Sequence, residues 1–125
     1  MIIIDTDVLI EIFDKESKKG DQALQKLKES KENIAITSLN LHEILFGHLK
    51  RKKKIKEITS LTTLGFTKKD AELSAKIENM LEKKGRPNTR IDTMIAAIAI
   101  NNNAKLFTFN KKHFQGIKQL SLFDY

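Results

Sequence analysis

The sequence contains no cysteine and no tryptophan, and it has one proline and one tyrosine. Without cysteine it can form neither a disulfide framework nor a thiolate metal site. The longest apolar run extends only from Met94 to Ile100, far short of the roughly 20 residues of a membrane-spanning helix. Aromatic residues make up 6% of the chain, which argues against a protein that reads single strands by stacking. The start of the chain lacks the features of a signal peptide, so we expect a cytoplasmic location.

The composition that remains is typical of one globular domain. The chain has 125 residues, of which 40% are hydrophobic and 31% charged, so we expect a single domain over 1–125 with a genuine core. Its 23 basic and 16 acidic residues give a net charge of +7, which favours a polyanionic partner such as nucleic acid. The densest basic cluster, 50–54, fits either a solvated helix face or a phosphate contact.

Segments suited to strands alternate with segments suited to helices. The apolar side chains of Ile2–Ile4 do not alternate with polar ones, which is typical of a parallel strand covered on both faces. Further strands are predicted at 34–36, 64–66, 106–109 and 120–122. Helices are predicted from 8, from 20, from 38 to about 60, from 67 and from 89 to about 102. This alternation predicts an α/β/α sandwich around a mostly parallel sheet of about four or five strands.

Three acidic residues stand beside apolar segments. Asp5 ends the first strand, Glu43 lies inside the apolar segment 39–46, and Asp92 opens the apolar segment 91–100. A carboxylate is costly to bury unless it is paired, hydrogen-bonded or bound to metal. Simpler explanations exist for each acid. Asp5 and Asp92 fit helix caps, although Asp7 lies closer to the first helix, and Glu43 could face solvent.

The predicted parallel sheet places these groups at one edge. Asp5, Glu43, Thr108 and Asn110 all follow the carboxyl ends of predicted strands, where sites form in such sheets. Carboxylates in one pocket raise one another's pKa values, and a divalent cation removes that penalty. Oxygen ligands favour Mg²⁺ or Mn²⁺, which can activate water for attack on a phosphodiester. A metal-dependent phosphodiester hydrolase is therefore the favoured hypothesis.

The chain resembles the PIN-domain nucleases, and in particular the VapC-type toxins of VapBC toxin–antitoxin pairs. The segments that carry the resemblance follow the family's order and span nearly the whole chain: 3–10, 37–47, 84–87, 92–99 and 106–114. The resemblance implies an endoribonuclease dependent on Mg²⁺ or Mn²⁺ that cuts structured RNA, often transfer RNA. It also implies a homodimer and a VapB-like antitoxin as the protein partner.

The resemblance assigns roles to individual residues. Asp5, Glu43 and Asp92 match the three acidic metal-site positions, and Thr6 matches a small hydroxyl position near the metal. A fourth carboxylate of the family has no equivalent, because its two usual positions hold Asn110 and His113. Either the Asn110 amide oxygen or the Asp7 carboxylate is then expected to substitute. Fewer negative ligands predict one firmly bound ion.

Other residues receive supporting roles. Arg86, Arg90 and Lys111 are candidates to hold the RNA backbone, with ordinary surface charge as the alternative. His42 and His48 flank Glu43, and we expect them to be partly buried or surface residues and not general bases. The groove for the antitoxin is expected to be lined by Ile12, Phe13, Leu41 and Leu45, which plain core packing would equally explain.

Three alternative functions remain open at this point. Asp5-Thr6-Asp7 after an apolar strand superficially fits a phosphatase of the haloacid dehalogenase class, although no later acidic pair is present. A PIN scaffold that binds RNA or protein without catalysis fits the changed fourth position. A PIN nuclease of RNA maturation fits as well as a toxin does.

Overall fold

A parallel five-stranded sheet forms the centre of the structure, a computed structural model that describes residues 1–51, 56–86 and 89–125. Its strands are β1 (Ile2–Ile4), β2 (Ile34–Thr37), β3 (Thr62–Leu64), β4 (Lys105–Phe107) and β5 (Ser121–Leu122). The strand order is β3-β2-β1-β4-β5, and every neighbouring pair is parallel. The carboxyl ends of all these strands therefore meet at one edge, as the sequence predicted.

Helices occupy the connections between the strands. They are α1 (Thr6–Leu9), α2 (Lys18–Ser30), α3 (Ser38–Arg51), α4 (Lys56–Thr59), α5 (Lys68–Lys83) and α6 (Arg90–Asn101). A π-helical segment, Ile10–Asp14, continues α1, and a 3₁₀ turn, Lys111–Phe114, follows β4. Among the described residues, no helix is both long enough and apolar enough to cross a membrane.

Two separate hydrophobic clusters cover the two faces of the sheet. In β1, Ile2 and Ile4 point into the cluster formed with α1, α2 and α3, whereas Ile3 points into the cluster formed with α5 and α6. All three side chains are at most 2% exposed. Complete burial on both faces explains why this strand consists of consecutive apolar residues. The prediction of an α/β/α sandwich is confirmed.

Several boundaries differ from those that the sequence predicted. The third strand occupies Thr62–Leu64 and not 64–66, because Thr62 and Thr63 pair with β2 although their side chains are exposed. An exposed edge strand has no apolar pattern to mark it. Helix α2 begins two residues before Gly20, since the Ser17 hydroxyl caps it by accepting from the Gly20 amide. The predicted helix across 52–55 and the stop at Pro87–Asn88 lie outside the described residues.

Helix caps set the positions of the two helices on the second face. Thr67 and Asp70 form a capping box at the start of α5, as predicted from their spacing. The helix ends before Gly85, whose positive φ of 66° favours glycine. At the start of α6, the Thr89 hydroxyl accepts a hydrogen bond from the Asp92 amide at 3.2 Å. This cap fixes Asp92 in the first turn of α6.

Candidate active site

Asp5 stands at the carboxyl end of β1, and three parts of the chain donate hydrogen bonds to its carboxylate. Its Oδ1 accepts from the Thr6 amide at 2.9 Å and from Asn40 Nδ2 at 3.3 Å. Its Oδ2 accepts from the Thr108 hydroxyl at 2.8 Å. The residue is only 8% exposed. Although Asp7 lies closer to the helix that the sequence predicted from residue 8, the helix begins earlier, so Asp5 occupies the cap position of α1 and Asp7 lies in its first turn.

Glu43 joins this network through Thr6. The Thr6 hydroxyl donates to Glu43 Oε1 at 2.8 Å and accepts from Asn40 Nδ2 at 3.0 Å. Asn40 is itself oriented by Thr37, whose amide and hydroxyl donate to Asn40 Oδ1 at 3.1 and 2.7 Å. Glu43 is exposed and not set against the core, although apolar residues precede and follow it in the sequence. An exposed carboxylate near the buried Asp5 remains available to a ligand.

Asn40 is a site residue that the sequence analysis missed. It is fully buried and connects Asp5, Thr6 and Thr37. A polar residue between Leu39 and Leu41, one helical turn before Glu43, was the available signal. Since buried amides are almost always hydrogen-bonded, a buried asparagine on the helix face that carries an acid indicates a polar network.

Asp7 and Thr108 connect the first helix to the end of β4. Asp7 Oδ2 accepts from the Phe109 amide at 3.1 Å, and the Thr108 hydroxyl lies 3.5 Å away. The Asn110 amide donates to the Thr108 hydroxyl at 3.0 Å. Asp7 therefore lies beside Asp5, on the side of the network towards the segment that holds Asn110. Asn110 itself is exposed.

Asp92 approaches the network from the other face of the sheet. Its side chain is 15% exposed, and its Oδ2 lies 3.6 Å from His113 Nδ1. His113 occupies one of the two positions where the resemblance leads one to expect a fourth acid. The pair links the start of α6 to the 3₁₀ turn after β4.

The acids influence one another electrostatically. Burial and, after it, the negative charges of Asp7 and Asp92 raise the pKa of Asp5 to about 6, although the hydrogen bonds from Thr108 and Thr6 act to lower it. Burial also raises the pKa of Asp7. A bound cation would relieve this repulsion, and the ligand oxygens are those that Mg²⁺ and Mn²⁺ prefer. The donor set thus fits a hard divalent ion.

The acids are nevertheless not arranged as a finished metal site. Within residues 1–51, 56–86 and 89–125, no three histidine or acidic side chains lie close enough together to hold an ion as they stand. Asp5 and Glu43 do not contact each other directly. The side chains of Asn40 and Thr6 lie between them and connect them through hydrogen bonds. Side chains would therefore have to rotate inward to share an ion.

Two of the predicted RNA-binding cations, Arg90 and Lys111, have partners within the protein. Arg90 forms a two-point pair with Glu78, with Nε–Oε1 and Nη2–Oε2 distances of 3.0 and 3.2 Å. Lys111 Nζ lies 4.6 Å from the centroid of the Tyr125 ring. Arg86 is exposed beside Gly116. None of these contacts excludes RNA, but RNA would have to compete for Arg90 and Lys111.

The two histidines beside Glu43 differ in their surroundings. His42 is exposed and stacks on the Phe46 ring at a centroid distance of 6.4 Å. His48 is 2% exposed, and neither ring nitrogen has a hydrogen-bond partner in the part of the chain that the structure describes. Neither histidine contacts the network around Asp5 in the described hydrogen bonds. The expectation of a partly buried or surface residue holds for His42, but it is wrong for His48, which is buried.

Comparison with known proteins identifies the family. The family model for the PIN domain matches residues 2–119. The chain belongs to the PIN-domain family. This PIN domain is 33% identical over 96 residues to Ribonuclease VapC3 of Methanocaldococcus jannaschii, a match that covers 77% of the chain and 95% of that protein. It is 30% identical over 127 aligned positions to Ribonuclease VapC2 of Rickettsia felis, covering 96% of the chain and 94% of the relative.

Solved structures agree with this assignment. The PIN domain superposes on a chain of Rickettsia felis VapBC2, bound to a DNA fragment from the promoter, with a TM-score of 0.80 and 29% identity. That match covers 100% of this chain and 99% of the other. VapBC-1 of nontypeable Haemophilus influenzae gives a TM-score of 0.81 over 99% and 98% of the two chains, and at 24% identity it supports the fold alone. The resemblance to VapC-type PIN domains is confirmed, and the haloacid dehalogenase alternative is wrong.

Proposed function

We propose that this PIN domain, acting as one unit over 1–125, is a divalent-metal-dependent endoribonuclease and the toxin of a toxin–antitoxin pair. The observation that carries the proposal is the buried Asp5 carboxylate, which receives three hydrogen bonds and whose pKa is raised by burial and by Asp7 and Asp92. Retaining so unfavourable a charge is typical of a functional site. The relatives named ribonucleases support RNA as the substrate.

The proposed catalytic residues and metal ligands are Asp5, Glu43 and Asp92. The hydrogen bonds of Thr108 and the Thr6 amide keep Asp5 in one orientation, and the Thr6 hydroxyl positions Glu43. Asp92 contributes a third negative group from the start of α6. A bound Mg²⁺ or Mn²⁺ would supply water activation and charge neutralisation at the scissile phosphate.

The remaining polar groups support these three acids. Thr6 and Thr108 act as positioning residues through their hydroxyl groups, and Asp7 holds the Phe109 amide. We propose that either Asp7 or Asn110, which lies next to this network, compensates for the missing fourth acid. With fewer negative ligands, we propose one firmly bound ion.

The substrate is proposed to be structured RNA, with transfer RNA as the first candidate. The net charge of +7 favours a polyanion, and Arg86, Arg90 and Lys111 are the proposed backbone contacts. Because Arg90 is paired with Glu78, its contact with phosphate would require that pair to open. We therefore expect Arg90 to contribute less than Lys111.

A ribonuclease assay with matched variants tests the proposal. Purified protein, mixed transfer RNA and Mg²⁺ or Mn²⁺ should give discrete cleavage products, which a chelator abolishes. Asp5→Asn should lower the rate by about 100-fold or more, because it removes a charge required at the reacting phosphate. Asp21→Asn, at an exposed position in the first turn of α2, removes the same charge as a control and should cleave normally. Equal rates for Asp5→Asn and the wild type would refute the assignment.

Metal binding has a readout that does not depend on activity. An ion that binds only the folded protein raises the melting temperature in proportion to the logarithm of its concentration. Mg²⁺ should therefore stabilise the wild type and Asp21→Asn but not Asp5→Asn. If Mg²⁺ stabilised all three proteins equally, the ion would bind somewhere other than the proposed site.

We also propose a VapB-like antitoxin and a homodimer as partners. An apolar cleft of about 350 Å³ is lined by Ile12, Phe13, Leu24 and Leu27, with Lys28 and Lys31 among its other lining residues. Leu41 and Leu45 pack against the first hydrophobic cluster and do not line this cleft. Co-expression with the open reading frame directly upstream should yield a complex with the antitoxin, and Phe13→Asp should disrupt that complex.

The homodimer is tested separately, by light scattering of the protein without its antitoxin, which measures its molar mass in solution.

A PIN domain that binds RNA without cutting it is the second candidate. The absence of a finished three-acid cluster among the described residues favours it. The same assay separates the two functions, since this candidate predicts RNA binding without products at any metal concentration.

A further inference from the structure

Two lysines and two aromatic rings form a surface directly beside the acids. Lys19 Nζ lies 4.0 Å from the centroid of the Phe109 ring, and Lys111 Nζ lies 4.6 Å from that of Tyr125. The two rings meet edge to face at a centroid distance of 5.6 Å. We call these four residues the aromatic–lysine ridge.

A buried aromatic cluster fixes the ridge in place. The Phe107 ring, which is fully buried, contacts Phe109, Phe123 and Tyr125 at centroid distances of 5.8, 5.0 and 4.8 Å. Tyr125 remains 44% exposed. The ridge therefore presents ring surface to solvent above a buried aromatic cluster, and a ring already held by packing lowers the entropic cost of binding a flat ligand.

The ridge adjoins the proposed catalytic acids. The Phe109 amide donates to Asp7 Oδ2, and the preceding residue, Thr108, donates to Asp5. Burial and, after it, the negative charge of Asp7 raise the pKa of Tyr125. A substrate at the acids would therefore extend over the ridge.

We propose that the aromatic–lysine ridge binds one unpaired nucleotide of the RNA next to the cleaved bond, with its base on Tyr125 and its phosphate between Lys19 and Lys111. This inference rests on the proposed function and adds a residue that specifies the substrate. It narrows the substrate class to RNA with an unpaired nucleotide at the cleavage position, such as a loop.

Charge and stacking both support this occupant. The acids repel an approaching phosphate, and a nearby pair of ammonium groups offsets part of that repulsion in addition to any bound cation. A lysine over an exposed ring is held only weakly and can turn towards a phosphate, which frees the ring face. Nucleobases stack on such faces irrespective of sequence. A low aromatic content does not exclude stacking when the exposed rings lie at the site.

Cleavage kinetics with a short single-stranded RNA test the ridge. Tyr125→Leu removes the ring but keeps an apolar side chain, and it should raise KM by at least about fivefold with kcat unchanged within about twofold. Tyr125→Phe keeps the ring and should behave like the wild type. Lys111→Met should raise KM and lower the salt dependence of binding by about one phosphate contact. Lys26→Met, which removes an exposed lysine of α2, is the charge-matched control.

Binding can be measured without cleavage. Tyr125 is the only tyrosine and the chain has no tryptophan, so tyrosine fluorescence reports on this residue alone. In the Asp5→Asn background, the same RNA should quench this fluorescence, and Lys111→Met should shift the titration to higher RNA concentration. An RNA that lacks the base at the bound position should bind without quenching.

The outcomes separate this inference from the proposed function. Wild-type affinity and KM in both Tyr125→Leu and Lys111→Met would overturn the ridge and leave the ribonuclease intact. An equal loss in Lys26→Met would also overturn it, because only overall charge would then matter. Quenching without any cleavage by the wild type would support the ridge and refute the nuclease.

Discussion

At the scale of single residues, the buried Asp5 carboxylate lowers the stability of the folded protein, although the proposed function requires it. Its carboxylate is almost completely buried near two other acids, and its pKa is raised to about 6. One pKa unit corresponds to about 1.4 kcal/mol, so ionising Asp5 costs the folded state about 3 kcal/mol relative to the unfolded chain. Its three hydrogen bonds only partly compensate.

We predict that Asp5→Asn raises the free energy of unfolding by up to about 3 kcal/mol above pH 7 in chelator, although it should lower the cleavage rate by about 100-fold or more. The folded state binds the proton more tightly, so this group's stabilisation is complete below pH 4 and is lost as the pH rises through about 6. The difference between the variant and the wild type should therefore vanish near pH 4. Urea unfolding of both proteins at several pH values measures this difference in the free energy of unfolding. A variant that is less stable at pH 8 would contradict the prediction.

At the scale of elements, the π-helical segment after α1 determines how closely α2 can approach. A Cβ atom built on Gly20 would lie 2.1 Å from the carbonyl oxygen of Glu11, which belongs to the backbone of that segment. The Ser17 amide donates to the same carbonyl at 3.1 Å. The first turn of α2 thus packs on backbone, and only glycine leaves enough space.

Gly20→Ala should lower the free energy of unfolding by about 2 kcal/mol or more, because the overlap with Glu11 outweighs the better helix propensity of alanine. Gly65→Ala is the matched control, since a Cβ at Gly65 meets nothing within 4 Å. Its stability should change little or rise slightly. Chemical unfolding of both variants decides the point. Equal stability of Gly20→Ala and Gly65→Ala would show that α2 can move away from the π-helical segment at no cost in free energy.

At the scale of the whole molecule, the parallel sheet and the net charge act together. The sheet brings the ends of β1, β2 and β4 to one edge, so residues as far apart in sequence as Asp5 and Thr108 are in contact. A net charge of +7 favours a polyanionic partner over a small anion.

RNA affinity should therefore fall steeply with salt. Four phosphate contacts would weaken binding by roughly 50-fold between 50 and 200 mM salt, since each contact contributes a slope of about 0.7 for single strands. The measurement is a titration of the Asp5→Asn protein with labelled RNA at several salt concentrations. A slope near zero would exclude backbone contacts as the source of affinity.

The sequence by itself determined most of the architecture. Consecutive apolar residues in Ile2–Ile4, the capping box at Thr67 and Asp70, and the apolar segment after Asp92 each depend on neighbours a few residues away. Local spacing fixes such features in almost any globular context. Their order along the chain then predicted a parallel sheet and the edge at which the acids meet.

Only the tertiary structure decided which side chains meet there. Asn40 reaches Asp5 and Thr6 because β2 lies beside β1, and the rings of Phe109 and Tyr125 meet because the chain after β5 returns to β4. The exposure of Glu43 likewise depends on how α3 is rotated against the sheet. Such contacts follow from strand order and helix packing, which join segments distant in sequence and leave no mark in local spacing.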